Sequence, residues 1–117
     1  MPQIINYGNE MLRISAKRMI EYSKNYGSSW HTCYSDTSCG TFLDLLSYDN
    51  EAIALTSKGI YYSNWKYKGA AWDKRCTSTI CQEFVILVNR GTEIRAITKK
   101  GISYYSTDKG RNWSRIK

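Results

Sequence analysis

The feature that most restricts what this chain can fold into is an internal repeat. Tyr7-x-Asn9-Glu10 returns as Tyr48-x-Asn50-Glu51, Thr56-Ser57-Lys58-Gly59-Ile60 returns as Thr98-Lys99-Lys100-Gly101-Ile102, and Cys39-x-x-Phe42 returns as Cys81-x-x-Phe84. The offsets are 41, 42 and 42 residues, and Trp30, Trp72 and Trp113 close the three units. A unit of this length is one supersecondary element that buries its faces only by stacking on its neighbours. A chain of 117 residues accommodates one such stack and not two independent cores. The expected organisation is therefore a single domain, 1–117, of three repeats at 1–38, 39–80 and 81–117.

Each unit divides into four short strands. In the middle unit they are expected at Phe42 to Ser47, Ala52 to Thr56, Ile60 to Ser63 and Ala71 to Arg75. The first of these is almost wholly apolar, as is its counterpart Phe84-Val85-Ile86-Leu87-Val88, and a continuous apolar run means burial on both faces. Ile4 and Ile5 are the shorter version in the first unit. Ten tyrosines and four tryptophans against a single proline agree with strands joined by tight turns.

The last hairpin is written most completely, as Ser106-Thr-Asp108-Lys-Gly110-Arg-Asn-Trp113. The Asp108 carboxylate can accept hydrogen bonds from the turn's N–H groups, Gly110 can take a positive φ, and Trp113 restarts a strand with a large apolar ring. This stretch resembles the Asp-box (sialidase-type, BNR) repeats, which sit on the outer hairpins of β-propeller blades. In the first unit Ser23, Asn25, Gly27 and Trp30 keep the frame with Asn for Asp. In the second, the stretch holding Ser63, Gly69 and Trp72 is two residues longer and lacks the acid, with Trp65, Lys66 and Tyr67 at its tip.

The resemblance implies an all-β scaffold of three propeller blades. Since propellers usually have four to eight blades, it further implies a homodimer whose two chains form a six-bladed ring. A β-trefoil has the same arithmetic of repeats and stands as the alternative, although the Gln-x-Trp signature of ricin-type trefoils is missing. A sialidase is several times longer and opens with an Arg-Ile-Pro motif absent here, so no catalytic residue carries over. His31 with Glu21 or Glu10 is the remaining acid–base pair. Its place beside Trp30 on a strand makes it an exposed side chain instead, and the expectation is a protein that is not an enzyme.

Charge and cysteines bear on partner and compartment. Of the net +7, the stretch from Val88 onward supplies +6, which suggests an anionic partner. The blade topology puts one basic turn per repeat on one side: Lys17-Arg18, Lys58 and Lys99-Lys100. The same side carries the loops between Cys33 and Cys39 and between Cys76 and Cys81, with Tyr34, Asp36 and Thr77 as groups able to meet sugar hydroxyls. The aromatic pair Trp65 and Tyr67 is a second candidate contact. Disulfides Cys33–Cys39 and Cys76–Cys81 are expected from the even count in equivalent loops, because four or five intervening residues fit a structural zinc site poorly. No metal or cofactor is expected.

These features together predict a lectin-like module for anionic or complex glycans, on a glycan or glycoprotein. A protein-interaction module binding an acidic partner is the alternative, and nucleic-acid binding ranks third. Disulfides predict a secreted or cell-surface protein. No apolar run approaches the roughly 20 residues of a membrane span, and the opening M-P-Q-I-I-N lacks the blocks of a signal peptide.

Overall fold

The computed structural model describes residues 4–7, 10–34, 39–48, 50–67 and 71–116. Twelve strands form three antiparallel sheets of four. The first sheet holds β1 (Ile4–Tyr7), β2 (Glu10–Ile14), β3 (Ile20–Ser23) and β4 (His31–Tyr34). The second holds β5 (Phe42–Tyr48), β6 (Glu51–Thr56), β7 (Gly59–Asn64) and β8 (Asp73–Cys76). The third holds β9 (Phe84–Asn89), β10 (Ile94–Thr98), β11 (Ser103–Ser106) and β12 (Ser114–Arg115). Within each sheet, spatial order equals chain order, and among the described residues no strand pairs with a strand of another sheet. A trefoil's repeats share one barrel, so this topology sets the trefoil alternative aside.

The sheets stack face against face, with the first strands β1, β5 and β9 side by side. That is why β5 reads as a continuous apolar run, its side chains entering the packing on both sides. β9 does so on one side only, through Phe84 and Leu87, and Val85, Ile86 and Val88 are half-buried, which corrects the two-faced burial expected of that strand. Two apolar cores result. One joins the first sheet to the second through Ile5, Leu12, Ile14, Ile20, Phe42, Leu45, Ala54 and Tyr61. The other joins the second to the third through Leu46, Ile53, Leu55, Ile60, Phe84, Leu87, Ile94 and Ala96. Alternation along β5 and β6 thus sends neighbouring residues into opposite cores.

The hairpin between β7 and β8 differs from expectation. Trp65 opens a 3-10 turn, Trp65–Tyr67, and is buried at 4% exposure in the first core with Trp72, which packs on Phe42 at 5.5 Å between ring centroids. As a surface contact Trp65 is therefore corrected: the two extra residues of this hairpin fold its ring inward. Gly69 lies outside the described residues, as does Asp36. Among the described residues no helix is long and apolar enough to cross a membrane.

Candidate functional site

The two hairpins that keep the serine–glycine–tryptophan frame are built alike. In the third sheet the Ser106 hydroxyl donates to Asp108 Oδ1 at 2.7 Å and accepts from the Gly110 N–H at 2.9 Å. Asp108 also accepts from the Asn112 backbone N–H at 2.9 Å and its amide at 2.7 Å. In the first sheet the Ser23 hydroxyl donates to Asn25 Oδ1 and accepts from the Gly27 N–H, both at 2.8 Å, while the Ser29 N–H reaches Asn25 Oδ1 at 3.0 Å. Both turns need two successive positive φ values, 59° and 87° at Tyr26 and Gly27, and 66° and 97° at Lys109 and Gly110. The glycine amide goes to the serine hydroxyl and not to the acid, so serine is the hub and the acid clamps the far side of the turn. Burial works to raise the Asp108 carboxyl, but the Ser106 hydroxyl, both groups of Asn112 and the Arg111 N–H prevail and hold it down at about 2.

On the opposite side, the turns joining second to third strands meet the connections between sheets, as the alternation predicts. The Ser57 N–H donates to the Thr41 carbonyl at 2.9 Å and the Thr41 N–H to the Ser57 hydroxyl at 2.9 Å. In the third sheet the Lys99 N–H donates to the Glu83 carbonyl at 3.2 Å. Gly59 has φ 128° and lies so close to the cystine loop that a Cβ there would stand 2.3 Å from the Cys76 carbonyl oxygen. No other residue fits at this turn. Lys17, Arg18, Lys58, Lys99 and Lys100 project from this framework with exposed side chains, and Thr77 is exposed beside Cys76.

Among the described residues, concavities lie on this side. A cleft of about 550 Å³ runs from the β2–β3 turn, at Ser15, Lys17 and Met19, down to Arg13, Glu21 and Thr32 on the outer face of the first sheet. A smaller one of about 220 Å³ lies between Ile80 and Glu83 and the β10–β11 turn at Thr98 and Lys100. The opposite side has a shallow hollow of about 420 Å³ at Tyr48, Asn89, Gly91 and Lys109.

The cysteine loops divide. Cys76 and Cys81 form a disulfide. Cys33 and Cys39 are free thiols, which corrects the second expected bridge. The reason lies in strand register: Ile60 faces Cys76 and Ile20 faces Tyr34, with a bulge in both pairings that leaves Arg75 and Cys33 as the extra residues. Tyr34 thus holds the place of Cys76, and its hydroxyl meets Cys39 Sγ at 3.3 Å where the second sheet has its disulfide. The Tyr34 ring packs edge-on against Phe42, 5.9 Å between centroids, so this side chain, expected to meet sugar hydroxyls, is half-buried with its hydroxyl against Cys39. Burial pushes the Cys33 thiol up to about 11.

Two residues important to the geometry were missed from sequence. Arg75 reads as one of three charged residues on a strand, yet its side chain is 1% exposed. It donates to both oxygens of Glu51 at 2.5 and 2.8 Å and to the Lys109 carbonyl at 3.2 Å, and lies over the Tyr62 ring at 3.8 Å. The Arg75 side chain holds the Glu51 carboxyl below its ordinary value. Asp44 interrupts an apolar run and is fully buried, accepting from the Leu45 N–H at 3.0 Å and the Leu87 N–H at 2.8 Å. Burial pushes its carboxyl up to about 6 against the pull of those two N–H groups.

His31 is exposed and faces Tyr22 across the ladder, while Glu21 is taken by Arg13 at 2.6 Å and Glu10 accepts from the Tyr22 hydroxyl at 2.7 Å. Among the described residues no three His, Cys, Asp or Glu side chains stand together as a metal site.

No protein-family model matches this chain. No curated protein matches it either. Solved structures do. YCF48 from Cyanidioschyzon merolae superposes with a TM-score of 0.74 at 17% identity, over 96% of this chain and 41% of that one. YCF48 bound to D1 peptide gives 0.74 at 13% identity, over 98% and 39%. An ancestral GH74 enzyme gives 0.68 at 14% identity, over 98% and 18%. These are β-propeller proteins, so the three sheets have a propeller scaffold. The chain spans less than half the length of each of them.

Proposed function

We propose that the chain is a non-enzymatic, lectin-like module, and that two copies form a six-bladed ring whose basic side binds anionic or complex glycans. The observation that carries this reading is that Lys17, Arg18, Lys58, Lys99 and Lys100 stand exposed on one side, one turn from each sheet. Two of these turns are tied by main-chain hydrogen bonds to the connections between sheets. Turns held in this way keep the cations at repeated positions for sulfate or carboxylate groups, and repetition of a weak site around an axis raises avidity. The Cys76–Cys81 disulfide supports a secreted or cell-surface location.

A screen of sulfated, sialylated and neutral glycans in low salt tests the proposal. Binding to the anionic set is expected, weakening as salt is raised and lost on Lys99→Glu with Lys100→Glu. Absence of binding to all three sets in low salt would sink it. A second reading, an acidic protein segment on the same side, is favoured by one observation: a structural neighbour of similar fold is described with a bound peptide. Capture of acidic peptides with no glycan signal would move the assignment there.

A further inference from the structure

The two seams inside the chain define a pattern that the two end sheets carry on. In the second seam, Leu46, Ile53, Leu55 and Ile60 of the second sheet receive Phe84, Leu87, Ile94, Ala96 and the ring of Trp113. Arg75 reaches across it to the carbonyl of Lys109 at the tip of the third sheet's hairpin. Strand register identifies the counterparts on the outer side of the third sheet as Val88, Arg95, Ile97, Ser103 and Tyr105. On the outer side of the first sheet they are Ile4, Met11, Arg13, Glu21 and Trp30.

These ends are only half suited to water. The large hydrophobic side chains exposed among the described residues are Ile4 at 52%, Tyr26 at 76% and Tyr105 at 36%, and all three stand at the ends. Tyr26 holds the hairpin position of Lys109, the residue whose carbonyl meets the preceding sheet in the second seam. Tyr105 holds the position of Tyr62, the ring beneath Arg75. Each end also carries one internally neutralised pair, Arg13–Glu21 and Arg95–Glu93, both at 2.6 Å, in which Arg95 stands where the internal seam has Ile53 and Glu93 where it has Glu51. Such a pair lowers the exposed apolar area when copies are apart and adds no net charge to repel them when they meet.

We infer that a second copy of this chain covers both ends, head to tail, with Tyr26 of each copy seated against Tyr105 and the Glu93–Arg95 corner of the other. Each chain carries one half of the seam at each end, so a two-fold axis along the ring generates two identical seams, each with one half from either copy, and closes. The inference rests on the six-bladed reading and specifies which surfaces make it. It has a consequence for the site: closure sets Lys99 and Lys100 of one copy beside Lys17 and Arg18 of the other. The 550 Å³ cleft, open along Arg13, Glu21 and Thr32, gains its missing wall from the second copy.

Light scattering over a range of concentrations tests this on the wild type, Tyr26→Lys and Tyr105→Lys. The wild type is expected at twice 13.5 kDa. Each variant, its circular dichroism unchanged because both positions are exposed, is expected to weaken association on the order of tenfold per seam. Mixing the two variants should restore dimers, since the mixed pair contains one unaltered seam. A wild type that is monomeric at every concentration overturns both the inference and the ring. A dimer indifferent to both substitutions, or unrestored by mixing, overturns the inference and leaves the ring. Glycan binding by a monomer would leave the lectin reading standing without it.

Discussion

The two internal seams solve one geometric problem by different chemistry. Between the second and third sheets, a bulged residue, Arg75, extends over Tyr62, pairs with Glu51 and ends on the backbone of a complete hairpin, beside a disulfide. Between the first and second sheets, the bulged residue is the small Cys33, the receiving hairpin is the incomplete one, and Trp65 fills the space with Trp72. Tyr34 and Cys39 touch where the other seam has a covalent bond. On top of an apolar core common to both, one seam adds ionic and covalent links and the other adds the volume of a buried Trp65 ring. The loss of the hairpin's acid in the second sheet is therefore accompanied by a change of partner, and repeat units can lose motif residues where the neighbouring sheet changes with them.

Substitutions should separate the two mechanisms. Trp65→Ala empties the centre of the first seam and is expected to cost about 4 kcal/mol in urea denaturation; a cost below about 1 kcal/mol would mean that the ring does not carry that seam. Arg75→Met leaves the half-buried Glu51 without its cation and should cost about 2 kcal/mol. Adding Glu51→Gln should recover a large part, and a double-mutant cycle without coupling would break the contrast drawn above. Reducing Cys76–Cys81, or replacing both by Ser, is expected to cost about 2 kcal/mol for so short a loop. In the unreduced, denatured protein, thiol titration should find two free cysteines.

The smallest effects come from pH, and they have opposite signs. Asp108 and Glu51 have folded-state values below their unfolded ones, so the stability they contribute is present above about pH 4 and is lost as Asp108 titrates towards about 2. Asp44 is raised to about 6, so the stability tied to its neutral form is complete below about pH 4 and is lost as pH rises through 6. Denaturation midpoints at pH 2.5, 4, 5, 6 and 7 should thus rise and then fall. Asp108→Asn should flatten the acid limb, making the third hairpin behave like the first with its neutral Asn25. Asp44→Asn should flatten the limb between 4 and 6. A monotonic rise across the range would contradict the burial of Asp44.

Much of this architecture was legible in the chain. Offsets near 42 residues and the apolar runs at Phe42 and Phe84 located the sheets, and Ser106 to Trp113 specified its own hydrogen bonds. What escaped depended on register at a bulge, where one extra residue reassigns a side chain to the other face. Counting from the tryptophans gives the missing signal: Cys76 lies four residues after Trp72, and four after Trp30 is Tyr34, not Cys33. Trp65 escaped for another reason, because a longer hairpin with an aromatic tip reads equally well as a surface or as a plug. The candidate binding side followed from strand direction alone, whereas the seam-spanning reach of Arg75 and Asp44 depends on contacts between sheets that no local pattern encodes.

The hydrogen bond from Leu87 to Asp44 has a use of its own. The Leu87 amide belongs to a strand of the third sheet, yet its hydrogen is held by a side chain of the second. Deuterium uptake at that single site would time how often the two sheets part while each remains intact, a slower clock than fraying and a faster one than global unfolding.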